Sequence, residues 1–338
     1  MSEFEGKVAI VTGAGGGIGR CHAIEFAQRG AKVVVNDLGG KVDGTGGGDA
    51  ADQVVADIEA MGGTAIANKA SVSDREGAGS IVADALSAFG RIVILVNNAG
   101  ILRDTTFKKM TLDEWDIVVN VHLNGSAYVT HAAWPHMYEQ RYGRVVFTSS
   151  GSGIFGNFGQ SNYGAAKMGM LGLMNVLALE GAARNVRVNC LGPGAATRMT
   201  NTVPGRDEDL GEPDPLRHPA LVSPAVLFMC SEDAPNGAVI HASGGNYSQS
   251  HIAVNEPVAL GPGTTYEDLV PHIEKLMDMS SATPRERRTP KPSRKQDAQP
   301  RLADFFGCRT QRAARATRFS SSSCRPETGS MAKSSAWT

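Results

Sequence analysis

No run of about 18 uninterrupted apolar residues occurs in this 338-residue chain, so the sequence offers no candidate for a membrane span. Cysteine is scarce. The five thiols (Cys21, Cys190, Cys230, Cys308 and Cys324) form no CxxC pair and no framework spacing, which excludes a disulfide scaffold and reads as reduced cysteine. Metal chemistry is not expected either: there is no HExxH, and His131 and His136 stand five apart, which does not align two ligands on a helix. No G-x-S-x-G elbow is present, which disfavours hydrolase chemistry. Aromatics make up only 6% of the chain. Glycine, by contrast, is abundant at 40 residues and points to many turns and close backbone approaches.

Charge of one sign is missing only in the sum. The net charge of −1 divides into residues 1–280, with 20 Lys+Arg against 30 Asp+Glu, and residues 281–338, with 13 against 4. The acidic body has no basic footprint for nucleic acid. The segment MSEFEGKVAIV places acidic residues before a short apolar run, unlike a secretory signal, and Ala-Trp-Thr is not a peroxisomal Ser-Lys-Leu address. The expected location is cytoplasmic.

Short β-branched runs at 7–12, 32–36, 64–68, 92–96, 144–149, 186–191 and 238–241 alternate with helical patterns near 18–29, 50–61, 74–89, 111–138 and 160–183. Near-continuous apolar strands separated by helices predict an α/β fold, a doubly wound parallel seven-stranded sheet of the Rossmann kind. The dinucleotide-binding catalytic domain spans 1–250. Residues 251–280 form an extension with one short helix over 264–280. Residues 281–338 read as a basic, disordered tail, because so few apolar residues cannot offset the entropy of ordering. The segment 39–49, with six glycines in eleven residues, reads as a flexible loop.

The motif Thr12-Gly-Ala-Gly-Gly-Gly-Ile-Gly19 follows the first strand and opens the first helix. Glycine there permits a tight turn and close approach to a pyrophosphate, whose charge the helix N-terminus receives. Gly13, Gly17, Ile18 and Gly19 are therefore candidate cofactor residues. Asp37 ends the second strand, 18 residues later. A carboxylate at that place accepts hydrogen bonds from ribose hydroxyls and repels a 2′-phosphate, so NAD is expected rather than NADP.

Tyr163-Gly-Ala-Ala-Lys167 puts a phenol and an ammonium one turn apart on a helix. A neighbouring cation is expected to lower the phenol's pKa toward working pH, making Tyr163 an acid–base group. Lys167 can also reach a ribose hydroxyl. Ser150, at the end of the fifth strand, can offer its hydroxyl to a substrate oxygen.

Together with Asn97-Asn98-Ala99-Gly100 after the fourth strand, the glycine motif and the Ser150/Tyr163/Lys167 set resemble the short-chain dehydrogenase/reductase family over about residues 5–247. The resemblance implies that Asn98, Ala99 and Gly100 border the adenosine side and that Ser71 and Val72 contact adenine. It places Pro193 and Gly194 at the nicotinamide, with Thr197 on the carboxamide. The family often carries a catalytic asparagine where this chain has His122, which either holds a proton-relay water or satisfies backbone groups near a helix bend. The stretches Gly100-Ile-Leu-Arg-Asp104, Val121-His-Leu123 and Gly156-Asn-Phe-Gly-Gln160 are similar to the (3R)-hydroxyacyl-CoA dehydrogenase unit of the peroxisomal multifunctional enzyme and its bacterial relatives. That branch implies hydride transfer between NAD and a (3R)-3-hydroxyacyl-CoA/3-oxoacyl-CoA pair. The alternatives are a 3-oxoacyl carrier-protein reductase, a hydroxysteroid dehydrogenase, or a dinucleotide-sensing module without catalysis. In this family, helices such as 111–138 and 160–183 pair across a two-fold axis, so a homodimer or homotetramer is expected, through apolar residues that include Met170, Leu173, Met174 and Leu177.

Overall fold

The computed structural model describes residues 2–197 and 215–284. Strand β1 (Val8–Thr12, VAIVT) is buried along its whole length, as β2 (Lys32–Asn36) is after its first residue. β-Branched side chains alternate between the two faces of these strands: Ala9 and Val11 enter one apolar core, Val8 and Ile10 the other. Helices α1 (Gly17–Gln28) and α2 (Ala50–Ala60) cover the first face. On the second lies α3 (Arg75–Phe89). The remaining strands are β3 (Thr64–Asn68), β4 (Ile94–Asn97), β5 (Gly143–Thr148), β6 (Val186–Gly194), β7 (Val239–Ser243) and β8 (Asn246–Ser250). They hydrogen-bond in the order β3-β2-β1-β4-β5-β6-β7-β8. The chain reverses its direction of winding between β1 and β4, and the crevice at that switch is where such sheets bind ligands.

The sheet has eight strands rather than the seven expected. The first seven are parallel and β8 runs antiparallel to β7. The segment NYSQS of β8 is largely exposed and has no apolar alternation to announce a strand. Its register comes instead from the two-residue turn Gly244-Gly245, both with positive φ (57° and 76°). That backbone suits the twist of a tight hairpin.

The helix expected over 111–138 is interrupted. Helix α4 (Leu112–Val119) starts at a Thr111/Glu114 capping box, a π-helical turn occupies Asn120–Asn124, and α5 (Gly125–Gln140) continues. The π turn carries His122 into the interior. Two further helices have no counterpart in the sequence pattern: the short α6 (Gly151–Phe155) and α8 (Ser223–Cys230), which packs on α1. Helix α7 (Ser161–Gly181) matches the expected span. Its Met170 and Met174 are buried in the chain's own core, however, and Leu173 and Leu177 are partly buried against it, so its exposed large apolar residues are Met168 and Val176.

The glycine-rich segment after β2 is not loose. Leu102 N–H donates to Val42 O at 3.0 Å, and Arg103 Nε donates to Asp43 O at 2.9 Å. Short strands β9 (Ala253–Val254) and β10 (Thr283–Pro284) pair antiparallel, so ordered backbone extends past the expected boundary at 280. The helix expected over 264–280 is broken into α9 (Tyr266–Leu269), a 3₁₀ turn Val270–His272 and α10 (Ile273–Met277), because Pro271 cannot donate to the helical ladder. The rest of the expected tail lies outside the described residues. Among those described, no helix is long and apolar enough to cross a membrane.

Candidate active site

A cavity of about 680 Å³ opens at the carboxyl ends of the strands. It is lined by Gly13, Gly17, Ile18, Asp37, Ser71, Val72, Asn98, Ala99, Gly100, His122, Ser150, Tyr163, Lys167, Pro193, Gly194 and Thr197, which are all but one of the residues singled out from sequence. Gly19 is the exception. A Cβ there would sit 2.2 Å from Gly13 O and 2.4 Å from Asn98 Nδ2, so its glycine serves the packing of α1 on the turn after β1, not the cavity.

At one end of the cavity the chain fits a dinucleotide. Gly16, the N-cap of α1, is extended and offers no side-chain cap, which leaves the first-turn amides available to an anion. Gly13 has φ +64°, and a Cβ on it would lie 2.7 Å from Ala99 Cα. No other residue fits. The two turns are stapled by a residue whose type alone suggested no role: Thr12 Oγ1 accepts from Asn98 N–H and Ala99 N–H at 3.0 and 3.1 Å. Asn98 Nδ2 returns bonds to Thr12 O and Gly13 O. At the end of β2, Asp37 Oδ2 accepts from Gly15 N–H and Oδ1 from Gly39 N–H, each at 2.7 Å. These bonds hold the carboxylate still while both oxygens keep a lone pair for a hydroxyl.

The chemistry-bearing side chains gather further along the cavity. Ser150 follows β5 and caps α6, accepting from Ser152 N–H at 3.1 Å. Tyr163 lies in the first turn of α7, near enough to Ser150 for that hydroxyl to act on its phenol. Lys167 is 2% exposed, donates to Thr148 O at 2.6 Å, and sits 5.3 Å from the Tyr163 ring centroid. Burial pushes the Tyr163 phenol up to about 12, against the lowering effect of Ser150, and the charge of Asp104 pushes it further. Burial also brings Lys167 down to about 7, with nearby Cys190 opposing. The expectation that Lys167 lowers the Tyr163 pKa is therefore not met among the protein's own groups. The same desolvation that raises the phenol suppresses the cation meant to offset it.

His122 meets the Tyr163 ring edge-on, 5.0 Å between centroids. Its Nε2 lies 2.7 Å from Ile101 O and 3.1 Å from Ile101 N. Donation to the nearer carbonyl leaves Nδ1 as a buried acceptor, and no partner meets it. Burial first and the Lys167 charge second hold this imidazole well below its ordinary pKa, so it is neutral. Both roles considered for His122 are thus compatible with one ring: one nitrogen satisfies backbone groups and the other is open to a donor. Among the described residues no cluster of His, Cys, Asp or Glu could hold a metal.

A family model described as short chain dehydrogenase matches residues 7–208. A short-chain type dehydrogenase/reductase of Mycobacterium tuberculosis, Rv0148, is 47% identical over 286 residues, 83% of this chain and 98% of that protein. The peroxisomal multifunctional enzyme type 2 of Mus musculus is 52% identical over 291 residues, 83% of this chain but only 38% of the mouse protein. This chain thus spans well under half of that relative. The crystal structure of a short chain dehydrogenase from Mycobacterium avium superposes with a TM-score of 0.72 at 38% identity, covering 83% of this chain and 97% of that one.

Proposed function

Since the chain belongs to the short-chain dehydrogenase family and is an oxidoreductase using a nicotinamide dinucleotide, we propose that it oxidises (3R)-3-hydroxyacyl-CoA to 3-oxoacyl-CoA with NAD. The convergence of Ser150, Tyr163 and Lys167 on one cavity carries the reading. Asp37 at the ribose end supports NAD over NADP, and the stretches that resemble the (3R)-hydroxyacyl-CoA dehydrogenase unit of the peroxisomal multifunctional enzyme, together with the 52% identity to such an enzyme of mouse, support the acyl thioester.

When bound, the oxidised nicotinamide supplies the hydride acceptor and a positive charge that favours the phenolate. Tyr163 takes the proton of the 3-hydroxyl as hydride leaves the carbon, and in the reverse direction returns it. Ser150 Oγ donates to the substrate oxygen and holds it beside the phenol. Lys167, in the cavity wall one turn along α7, would hold a ribose hydroxyl and helps pass onward the proton that Tyr163 has taken. His122 Nδ1 accepts from the water or hydroxyl that carries the proton onward.

The test is an incubation of the protein with NAD or NADP and a panel of (3R)- and (3S)-3-hydroxyacyl-CoAs, reading NADH or NADPH absorbance. NADH should form from the (3R) thioesters, with NAD preferred. Turnover of a carrier-protein thioester or a hydroxysteroid, with none of the CoA esters, would overturn the substrate assignment.

A further inference from the structure

Two of the stretches that mark the branch, Gly100–Asp104 and Gly156–Gln160, meet beside Tyr163, and neither has a place in the mechanism above. Gln160 is buried, lines the cavity and precedes α7 by one residue. Its amide is held from both sides. Nε2 donates to Asp104 Oδ2 at 2.6 Å, and Oε1 accepts from Asn157 Nδ2 at 2.9 Å. The backbones of Thr105 and Gln160 form a parallel bridge, and buried Asn162 donates to Arg103 O and Glu114 O while accepting from Tyr163 N–H at 2.7 Å. The segment after β4 is thereby clamped to the first turn of the helix that carries Tyr163.

Asp104 is the charged member of this clamp. Its Oδ2 takes a short bond to an amide, and its Oδ1 is buried with no partner. A carboxylate in that position needs no partner to act electrostatically, because in a desolvated site its field reaches the neighbouring phenol with little screening. We propose that Asp104 is a positioning residue for proton transfer, anchoring Gln160 and Asn157 at the cavity wall while holding a negative charge against the Tyr163 hydroxyl. The charge adds to the effect of burial in keeping Tyr163 protonated until substrate and cofactor have assembled, and so moves upward the pH at which oxidation begins.

The other charged groups around Tyr163 do not substitute for Asp104. Lys167 from α7 is cationic or neutral, never anionic, and His122 from the π turn is neutral. The Glu114 carboxylate on α4 is committed to Thr111, and Arg103 Nε to Asp43 O. Asp104 is the neighbour whose negative charge raises the phenol, and burial in turn raises Asp104 itself, against the Gln160 bond.

The inference rests on Tyr163 being the acid–base group, and the test separates the two. Asp104→Asn keeps an oxygen to accept from Gln160 and removes the charge. Asp104→Ser removes the charge and shortens the side chain. The pH profile of kcat/KM for alcohol oxidation rises as Tyr163 deprotonates, so both variants should move that rising limb to lower pH by about half a unit or more. NADH affinity, read by fluorescence titration, should change less than about twofold, since Asp104 does not line the cavity. Only the serine variant should also raise KM, through a loosened Gln160. If wild-type protein oxidises no acyl thioester, the profiles are taken on whichever secondary alcohol it does oxidise, so the substrate assignment can fail while this inference is still tested. A limb that stays in place in both variants would show that Asp104 is scaffolding alone. Should Asp104→Asn fail to fold, the serine variant alone reports whether the charge moves the limb.

Discussion

Replacing Lys167 by methionine should make the protein more stable at neutral pH while removing its activity. The side chain is 2% exposed, and burial takes the ammonium down to about 7. In the unfolded chain the same group titrates near its ordinary value of about 10.4. Between those two pH values the unfolded state binds more protons than the folded state, so this residue makes stability rise with pH across that window. Below about pH 7 both states are protonated and the full penalty applies. At about 1.36 kcal/mol per pH unit the penalty at pH 7 is about 4 kcal/mol. Methionine escapes it, has similar length and fills the space with apolar atoms. Against this stands the lost bond to Thr148 O, worth about 1 kcal/mol. A net gain of about 2–3 kcal/mol at pH 7 is expected, shrinking steadily toward pH 10, while turnover falls at least about 100-fold. Urea unfolding of both proteins at several pH values from 6.5 to 10 reads the difference, in which other titrating groups cancel. A methionine variant less stable than wild type at pH 7, or a gap that does not close as pH rises, would refute the reasoning.

Tyr163→Phe leaves the ring contact with His122 possible and removes only the titrating hydroxyl, so turnover should drop at least about 100-fold with NADH binding intact by fluorescence; retained activity would dispose of the mechanism. Asp37→Ala frees the Gly15 and Gly39 amides and removes the charge opposing a 2′-phosphate, so the NAD-over-NADP ratio of kcat/KM should narrow by about tenfold or more. Equal use of both cofactors by the unmodified protein would contradict the premise. Exposed Met168 and Val176 on α7 and the exposed Ile273, Met277 and Met279 near α10 leave apolar surface that a second copy could cover. Light scattering at micromolar concentration should give a dimer or tetramer mass, and a strictly monomeric mass would count against assembly.

Most of the sheet is readable from sequence because parallel strands covered on both faces must be apolar throughout, and runs such as VAIVT in β1 advertise that directly. The eighth strand carries no such mark. Its position follows from the backbone freedom of Gly244-Gly245, a pair that flanking apolar strands would have flagged as a hairpin, but NYSQS supplies none. The π turn at Asn120–Asn124 is unreadable for a different reason: one inserted residue shifts the helix face without interrupting its apolar pattern. That shift is what brings His122 against Ile101 and Tyr163.

The site divides along the same line. Which residues converge is legible, since Gly13, Asp37, Ser150, Tyr163 and Lys167 occupy strand ends and helix starts whose spacing already places them at one edge of the sheet. How they titrate is not, because charge at this edge depends on depth, and depth belongs to the assembled core. A Tyr-x-x-x-Lys spacing suggests a cation lowering a phenol, yet both groups lie in the same desolvated wall, where burial raises one and suppresses the other. The neighbours that decide the balance, Asp104 and Gln160, come from stretches 56 residues apart in the chain. Their residue types can be read one by one. Their pairing cannot, because the 2.6 Å contact exists only once the fold has brought the segment after β4 against the start of α7.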